Sequence, residues 1–226
     1  MTVERYAKLR EVLSRRQPDL TIVADEVHKG RNIAAITRSA DAVGIDRIHA
    51  VRPEAGFRPY RGTALGTQKW VDVELFDTVT EPLQALRARG FQLIFTAPQA
   101  QLPYWSVDYT RPTALVLGSE RQGLSAAALG VEHTLVSIPM HGMGESFNVS
   151  AACAIVLAEA QRQRQQAGYY ERSRLEPSYF HRRLFQWAQP ELAAYCDARG
   201  LEYPELDDAG DLAEPSAWYR SVREMQ

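Results

Sequence analysis

The chain has 226 residues, 45% of them hydrophobic and 24% charged, with a net charge of −2. This is an ordinary globular composition, long enough for one large domain or a domain with an appendage, and for a sizeable core. The charged start carries no apolar leader segment and no apolar run approaches about 18 residues, so neither a secretory signal nor a membrane span is expected.

In chain order, residues 3–16 read as a helix with Tyr6, Leu9 and Leu13 on one side and Arg5, Lys8, Arg15 and Arg16 elsewhere. Runs rich in β-branched and aliphatic residues predict strands at 20–24, 47–51, 71–76, 91–97, 113–118 and 134–138. Helical patterns predict helices at 32–43, 78–89, 124–129 and 146–165. Such alternation implies an α/β fold, with a mostly parallel sheet and helices on both faces. After Gly168 the strand signals end, and 176–186, 191–199 and 215–224 read as short helices. The expected organisation is an N-terminal helical extension (1–19), a central domain (20–165) and a helical tail (166–226).

Charge is unevenly spread. Residues 1–70 carry 13 Lys/Arg against 8 Asp/Glu and residues 159–183 carry 6 against 3, whereas 71–158 carry 4 against 8 and 184–226 carry 3 against 9. Two basic stretches flanking an acidic centre suit a polyanion gripped at two places, although solvated helix surfaces give the same counts.

In a sheet of this kind ligands sit beyond the carboxyl ends of the strands. The one G-x-G, at Gly142 and Gly144, is followed by Phe147 where a dinucleotide loop needs a third small residue. Gly118 to Gly123 has phosphate-loop spacing, but Leu124 stands where the lysine belongs. G-x-S-x-G and H-E-x-x-H are absent, and the five histidines show no metal spacing. Cys153 and Cys196 are far apart and outside C-x-x-C spacing, which predicts a reducing, cytoplasmic compartment and no metal site.

The run Ile138-Pro139-Met140-His141-Gly142-Met143-Gly144-Glu145-Ser146-Phe147-Asn148-Val149-Ser150 is the most informative stretch. A strand stops at the proline, two glycines permit a tight turn, and Ser146 or Asn148 is placed to cap the next helix. Free N–H groups at that helix start suit an anionic or carboxylate-bearing ligand; an ordinary capped β-to-α turn reads the same way.

Two further segments accompany this run: Asn32 to Gly44, with Arg38 midway, and Gly118-Ser119-Glu120-Arg121-Gln122-Gly123. The ordered patterns N-x5-R-x5-G, G-x-E-x-x-G and I-P-M-x-G-x3-S-x-N-V-S resemble the three motifs of the trefoil-knotted SPOUT RNA methyltransferases, in the branch that methylates ribose 2′-hydroxyls. The likeness covers roughly residues 20–160. Arg15 to Thr21, His28-Lys29 and Glu159 to Gln165 extend it toward the tRNA (guanosine-18 2′-O)-methyltransferase subfamily. One departure is Phe147, where leucine is common.

The resemblance implies an S-adenosylmethionine (AdoMet)-dependent homodimer that methylates tRNA, with a deep knot in its C-terminal half. It makes Arg38 the catalytic candidate, with Asn32, Glu120, Ser146 and Asn148 around it. Thr96, Gly118, Ile138, Met140 and Phe147 map to positions that cradle AdoMet. Helical spacing alone gives other readings. Arg38 falls opposite the stripe Ile33, Ile36, Ala40 and Val43, where a solvated arginine would also lie, and Asn32 could serve as an N-cap. Glu120 reads equally as a loop carboxylate. A guanidinium is too weak an acid to give up its proton readily, so stabilising an oxyanion or clamping phosphate suits an arginine here better than acting as a base. The competing functions are a sister enzyme acting on ribosomal RNA and a tRNA-binding protein or chaperone without catalysis. The intact Asn32, Arg38, Glu120, Ser146 and Asn148 argue against the latter.

Overall fold

In a computed structural model, residues 1–27, 29–52, 69–119 and 122–224 are described. His28, Glu120 and Arg121, all named above, lie outside them. The chain forms two units: residues 17–171, and a second assembled from residues 1–16 and 172–226.

The larger unit is built on strands β1 (Leu20–Ala24), β2 (Arg47–Val51), β3 (Asp72–Phe76), β4 (Gln92–Thr96), β5 (Leu102–Pro103), β6 (Thr113–Leu117) and β7 (Thr134–Ser137). They lie in the order β3-β2-β1-β6-β4-β7-β5, and every described pairing is parallel. Side chains alternate across each strand and so divide the core in two. Leu20 and Ile22 of β1, Leu115 and Leu117 of β6 and Ile94 of β4 face α2 (Gly30–Ala42) and α5 (Val149–Gln166). Val23, Val116, Leu93 and Phe95 face α3 (Thr80–Ala88) and α4 (Ala126–Leu129) on the other side. The α/β sheet with helices on both faces follows from this pattern, since strands buried on both faces must be apolar throughout.

On α2, Ile33, Ile36 and Ala40 are buried and Arg38 is exposed, as the stripe predicts. Two boundaries differ from the sequence reading. Helix α2 begins at Gly30, with Lys29 as its N-cap, so Asn32 sits within the first turn, 5% exposed, and is no cap. Helix α5 begins at Val149 rather than 146, because Asn148 caps it: its side-chain oxygen accepts the Ser150 N–H at 3.0 Å. Ser146 stays in the preceding loop. Strand β5 and the 3-10 helix Tyr104–Ser106 have no counterpart in the sequence reading.

Arg164, near the end of α5, has no exposed surface. Its Nε donates to Tyr109 O at 2.9 Å, and its Nη1 to Gln17 Oε1 at 3.1 Å and Asp19 Oδ1 at 2.6 Å. Its Nη2 donates to the carbonyls of Asp19 and Arg111, both at 3.1 Å. All five guanidinium N–H groups are thereby used. The expectation that Arg164 grips a polyanion is corrected: it is a structural tie between the start of β1, the 107–111 loop and α5. Tyr169 and Tyr170 are likewise turned inward, their hydroxyls donating to Thr110 O and Val43 O.

The smaller unit packs α1 (Val3–Ser14) with α6 (Pro177–Ala188), α7 (Pro190–Arg199) and α8 (Pro215–Glu224). Tyr6, Leu9 and Leu13 of α1 are buried, as are Leu184, Phe185 and Trp187 of α6. Arg16 is fully buried with its guanidinium 5.2 Å from the Trp187 ring centre, which removes a second arginine from the expected basic surface. Arg5, Lys8, Arg10 and Arg15 remain exposed.

His49 of β2 is 8% exposed, and its Nδ1 lies 3.5 Å from Glu74 Oε2. Burial lowers its pKa from 6.5 to about 4, outweighing the opposing charge of Glu74. Between those values the unfolded chain takes up a proton that the folded one refuses, so stability is full above pH 6.5 and is lost as pH falls toward 4. The expected loss is of order 2–3 kcal/mol. Urea denaturation of wild type and His49→Gln across this window checks it: the variant's curve should be flatter, and parallel curves would contradict the assignment.

Candidate functional site

Beyond the carboxyl ends of β4, β6 and β7 the chain turns three times around a cavity of about 470 Å³. The first wall is Thr96 with Ala97 and Pro98, just past β4. Gly118, Ser119 and Gly123 form the second, where Ser119 and Gly123 exchange N–H···O bonds of 2.8 and 3.0 Å. A Cβ on Gly118 would stand 2.3 Å from the Gly123 carbonyl carbon, so only glycine allows this loop to fold back on the strand end. The third wall runs through Ile138, Met140 and residues 145–149 to Ala152 on α5.

The five positions expected to cradle a cofactor, Thr96, Gly118, Ile138, Met140 and Phe147, all line this one cavity. Ser146 and Asn148 line it too, both exposed. Asn148 Oδ1 also accepts the Ser150 hydroxyl at 2.6 Å, which fixes the carboxamide and leaves its NH2 as the donor end. Arg38 and Asn32 do not line the cavity: Arg38 is exposed on α2 and Asn32 is buried in its first turn. Glu120 lies outside the described residues.

Two charged liners were not singled out for the site by the sequence. Lys29 reaches the cavity because α2 starts early enough to make it the N-cap, and Glu145 because it sits on the turn before Ser146. Lys29 stood beside His28 in the motif extension, which was the available signal. The environment suits a small molecule: a concave site of a few hundred Å³, with apolar walls and a few placed polar groups. Among the described residues no cluster of three or more His, Cys, Asp or Glu is arranged to hold a metal ion. Among them, no helix is long and apolar enough to cross a membrane.

Comparison with known proteins gives this arrangement a context. The SpoU rRNA methylase family profile matches residues 19–158, and the profile of the SpoU rRNA methylase C-terminal region matches 162–215. The tRNA (guanosine(18)-2'-O)-methyltransferase of Escherichia coli K12 is 39% identical over 226 residues, which is 99% of each chain. The crystal structure of the A. aeolicus TrmH/SpoU tRNA modifying enzyme is 38% identical with a TM-score of 0.78, over 84% of this chain and 97% of that one. The SpoU methyltransferase AviRb from Streptomyces viridochromogenes, in complex with AdoMet, is 28% identical with a TM-score of 0.58, over 68% of this chain and 62% of that one. With its motifs in order, its strand-end cavity and a profile match over most of its length, this chain belongs to the SpoU rRNA methylase family.

Proposed function

We propose that the chain is an AdoMet-dependent tRNA (guanosine-18 2′-O)-methyltransferase, methylating a guanosine ribose in the tRNA D-loop and working in the cytoplasm as a knotted homodimer. The observation that carries this reading is the end-to-end likeness to the E. coli tRNA enzyme, which extends beyond the methylase core through residues of both units. Methyl transfer from labelled AdoMet into purified bulk tRNA and ribosomal RNA, with the modified nucleotide mapped, tests it. Label in ribosomal RNA alone would favour the sister activity, and label in neither a non-catalytic role.

The residues present fit AdoMet. Gly118 exposes main chain at the strand end, and Ile138, Met140 and Phe147 offer apolar surface for an adenine ring. When bound, AdoMet supplies a methyl group on a sulfonium. Ser146 and Asn148, at the wall nearest α5, orient the ribose, with the Asn148 NH2 as a hydrogen-bond donor. The part of the Arg38 guanidinium is to hold a phosphate and stabilise the developing 2′-oxyanion, and the hydroxyl proton passes to a nearby RNA phosphate. Asn32 shapes the pocket, and Glu120 organises it.

The dimer reading has its own support. Arg38 lies away from the cavity that Ser146 and Asn148 line, so a second protomer bringing its Arg38 there would complete the set. Phe147 is 41% exposed and Met143 101%, which suits a covered face. Analytical ultracentrifugation at micromolar concentration should find a dimer, and a fully active monomer would overturn this.

For RNA contact, the exposed Arg5, Lys8 and Arg10 of α1 remain phosphate-binding candidates, whereas Arg16 and Arg164 are buried and do not. Changing these three to Ala should weaken tRNA binding and flatten the dependence of log affinity on log salt, by about 0.7–0.9 for each phosphate that is no longer neutralised. AdoMet affinity should not change. Binding curves at several salt concentrations check this, and a wild-type slope would place the RNA-binding surface elsewhere.

A further inference from the structure

Asp25 directly follows β1, is 1% exposed and belongs to none of the three motifs. Its main-chain N–H donates to Leu117 O at 2.8 Å, and its Oδ2 accepts the Ser125 N–H at 2.7 Å. These contacts fall just before Gly118 and just after Leu124, so one residue holds both ends of the segment whose sequence contains G-x-E-x-x-G. Gly118, Ser119 and Gly123 of that segment form a wall of the cavity.

A carboxylate is an expensive choice for this place. Burying one costs several kcal/mol unless donors satisfy it. Asp25 Oδ1 has no hydrogen-bond partner among the described residues. The chain then continues through Glu26 at φ +52°, a left-handed conformation that is uncommon outside glycine and is held against strain. Packing alone would be served better by an apolar side chain, so the anchor to the Ser125 amide is what the acid contributes. Ser125 in turn caps α4, its hydroxyl accepting the Ala128 N–H at 3.1 Å. The cavity wall is thus fixed from β1 on one side and α4 on the other.

We propose that Asp25 is a positioning residue for the cofactor: by accepting the Ser125 amide it sets Gly118, Ser119 and Gly123 in the arrangement that binds AdoMet. This rests on the reading of the cavity as the AdoMet site. The oxygen acceptor, rather than the charge, performs the task.

Isothermal titration of AdoMet into wild type, Asp25→Ala and Asp25→Asn, with steady-state kinetics on tRNA, tests it. Leaving a buried amide unsatisfied predicts about a tenfold weaker AdoMet affinity and a matching rise in AdoMet KM for Asp25→Ala. The tRNA KM should move by less than about twofold. Asp25→Asn keeps an acceptor and should return AdoMet affinity to within about threefold of wild type. Wild-type affinity in Asp25→Ala, equal losses toward tRNA and AdoMet, or an Asp25→Asn no better than Asp25→Ala would each overturn the proposal. Should Asp25→Ala not fold, the same bond can be removed from its other end. Ser125 lies at φ −68°, the value proline fixes, so Ser125→Pro deletes the donor, and Ser125→Ala controls for the lost cap. A tenfold loss relative to that control supports the proposal, and none overturns it. A wild type that binds no AdoMet would instead overturn the cofactor reading beneath it.

Discussion

Arg38→Ala is expected to lower methyl-transfer turnover by roughly 10²–10³ while leaving AdoMet affinity nearly unchanged. The size is that of losing a preorganised group that stabilises charge in the transition state. The selectivity comes from geometry, since Arg38 is exposed on α2 and lies outside the cavity lining. Arg38→Lys should recover little, because a point charge does not reproduce the planar fork that pairs with phosphate. Single-turnover transfer to tRNA, with titration of AdoMet on the same samples, measures both quantities. Turnover near wild type would return Arg38 to the role of a solvated helix charge.

The second large effect concerns stability. Arg164→Ala removes the guanidinium from the Asp19 carboxylate and from the carbonyls of Asp19, Tyr109 and Arg111. Breaking a buried pair in this way costs roughly 3–5 kcal/mol. For a chain of this size that lowers the thermal midpoint by roughly 6–20 °C. Arg162, two residues earlier, is exposed and pairs with Glu159 one turn back, so Arg162→Ala should leave the midpoint where it is. Scanning calorimetry of the two variants side by side decides the matter. Equal midpoints would mean that the Arg164 network is dispensable.

Arg164 also shows why part of the structure was not legible in the sequence. An arginine in Gln163-Arg164-Gln165 has the same helical context whether it faces water or five buried acceptors. The acceptors come from residues 17–19 and 109–111, more than 50 positions away. Where the signal was local and periodic, the reading held. The apolar runs 20–24 and 47–51 coincide with β1 and β2, and the α2 stripe places Arg38 outward. Helix starts were displaced for two reasons: α2 opens at Lys29 without any side-chain cap bond, which no capping residue signals, and α5 opens at Asn148 rather than Ser146 because the Asn148 side chain accepts the Ser150 N–H. Strand β5 was missed because two residues, one of them proline, carry no period. The cavity liners were recoverable from motif order, whereas Asp25 belongs to no motif and is visible only through its contacts with Leu117 and Ser125.

The smaller unit is stitched from the two ends of the chain, and this has a consequence for how the protein is made. The apolar side of α1 leaves the ribosome long before its partners, for the helices that cover Tyr6, Leu9 and Leu13 begin only at residue 177. At ordinary synthesis rates of about 5–20 residues per second, α1 waits roughly 8–35 s for its partners. By the end of that interval the larger unit has all its strands and can fold, while α1 has remained a short amphipathic segment that holds little helix alone. Chaperones that capture exposed apolar turns should therefore meet this nascent chain at α1. A permuted chain that places residues 172–226 directly before residues 1–16 would make the smaller unit continuous and shorten that exposure.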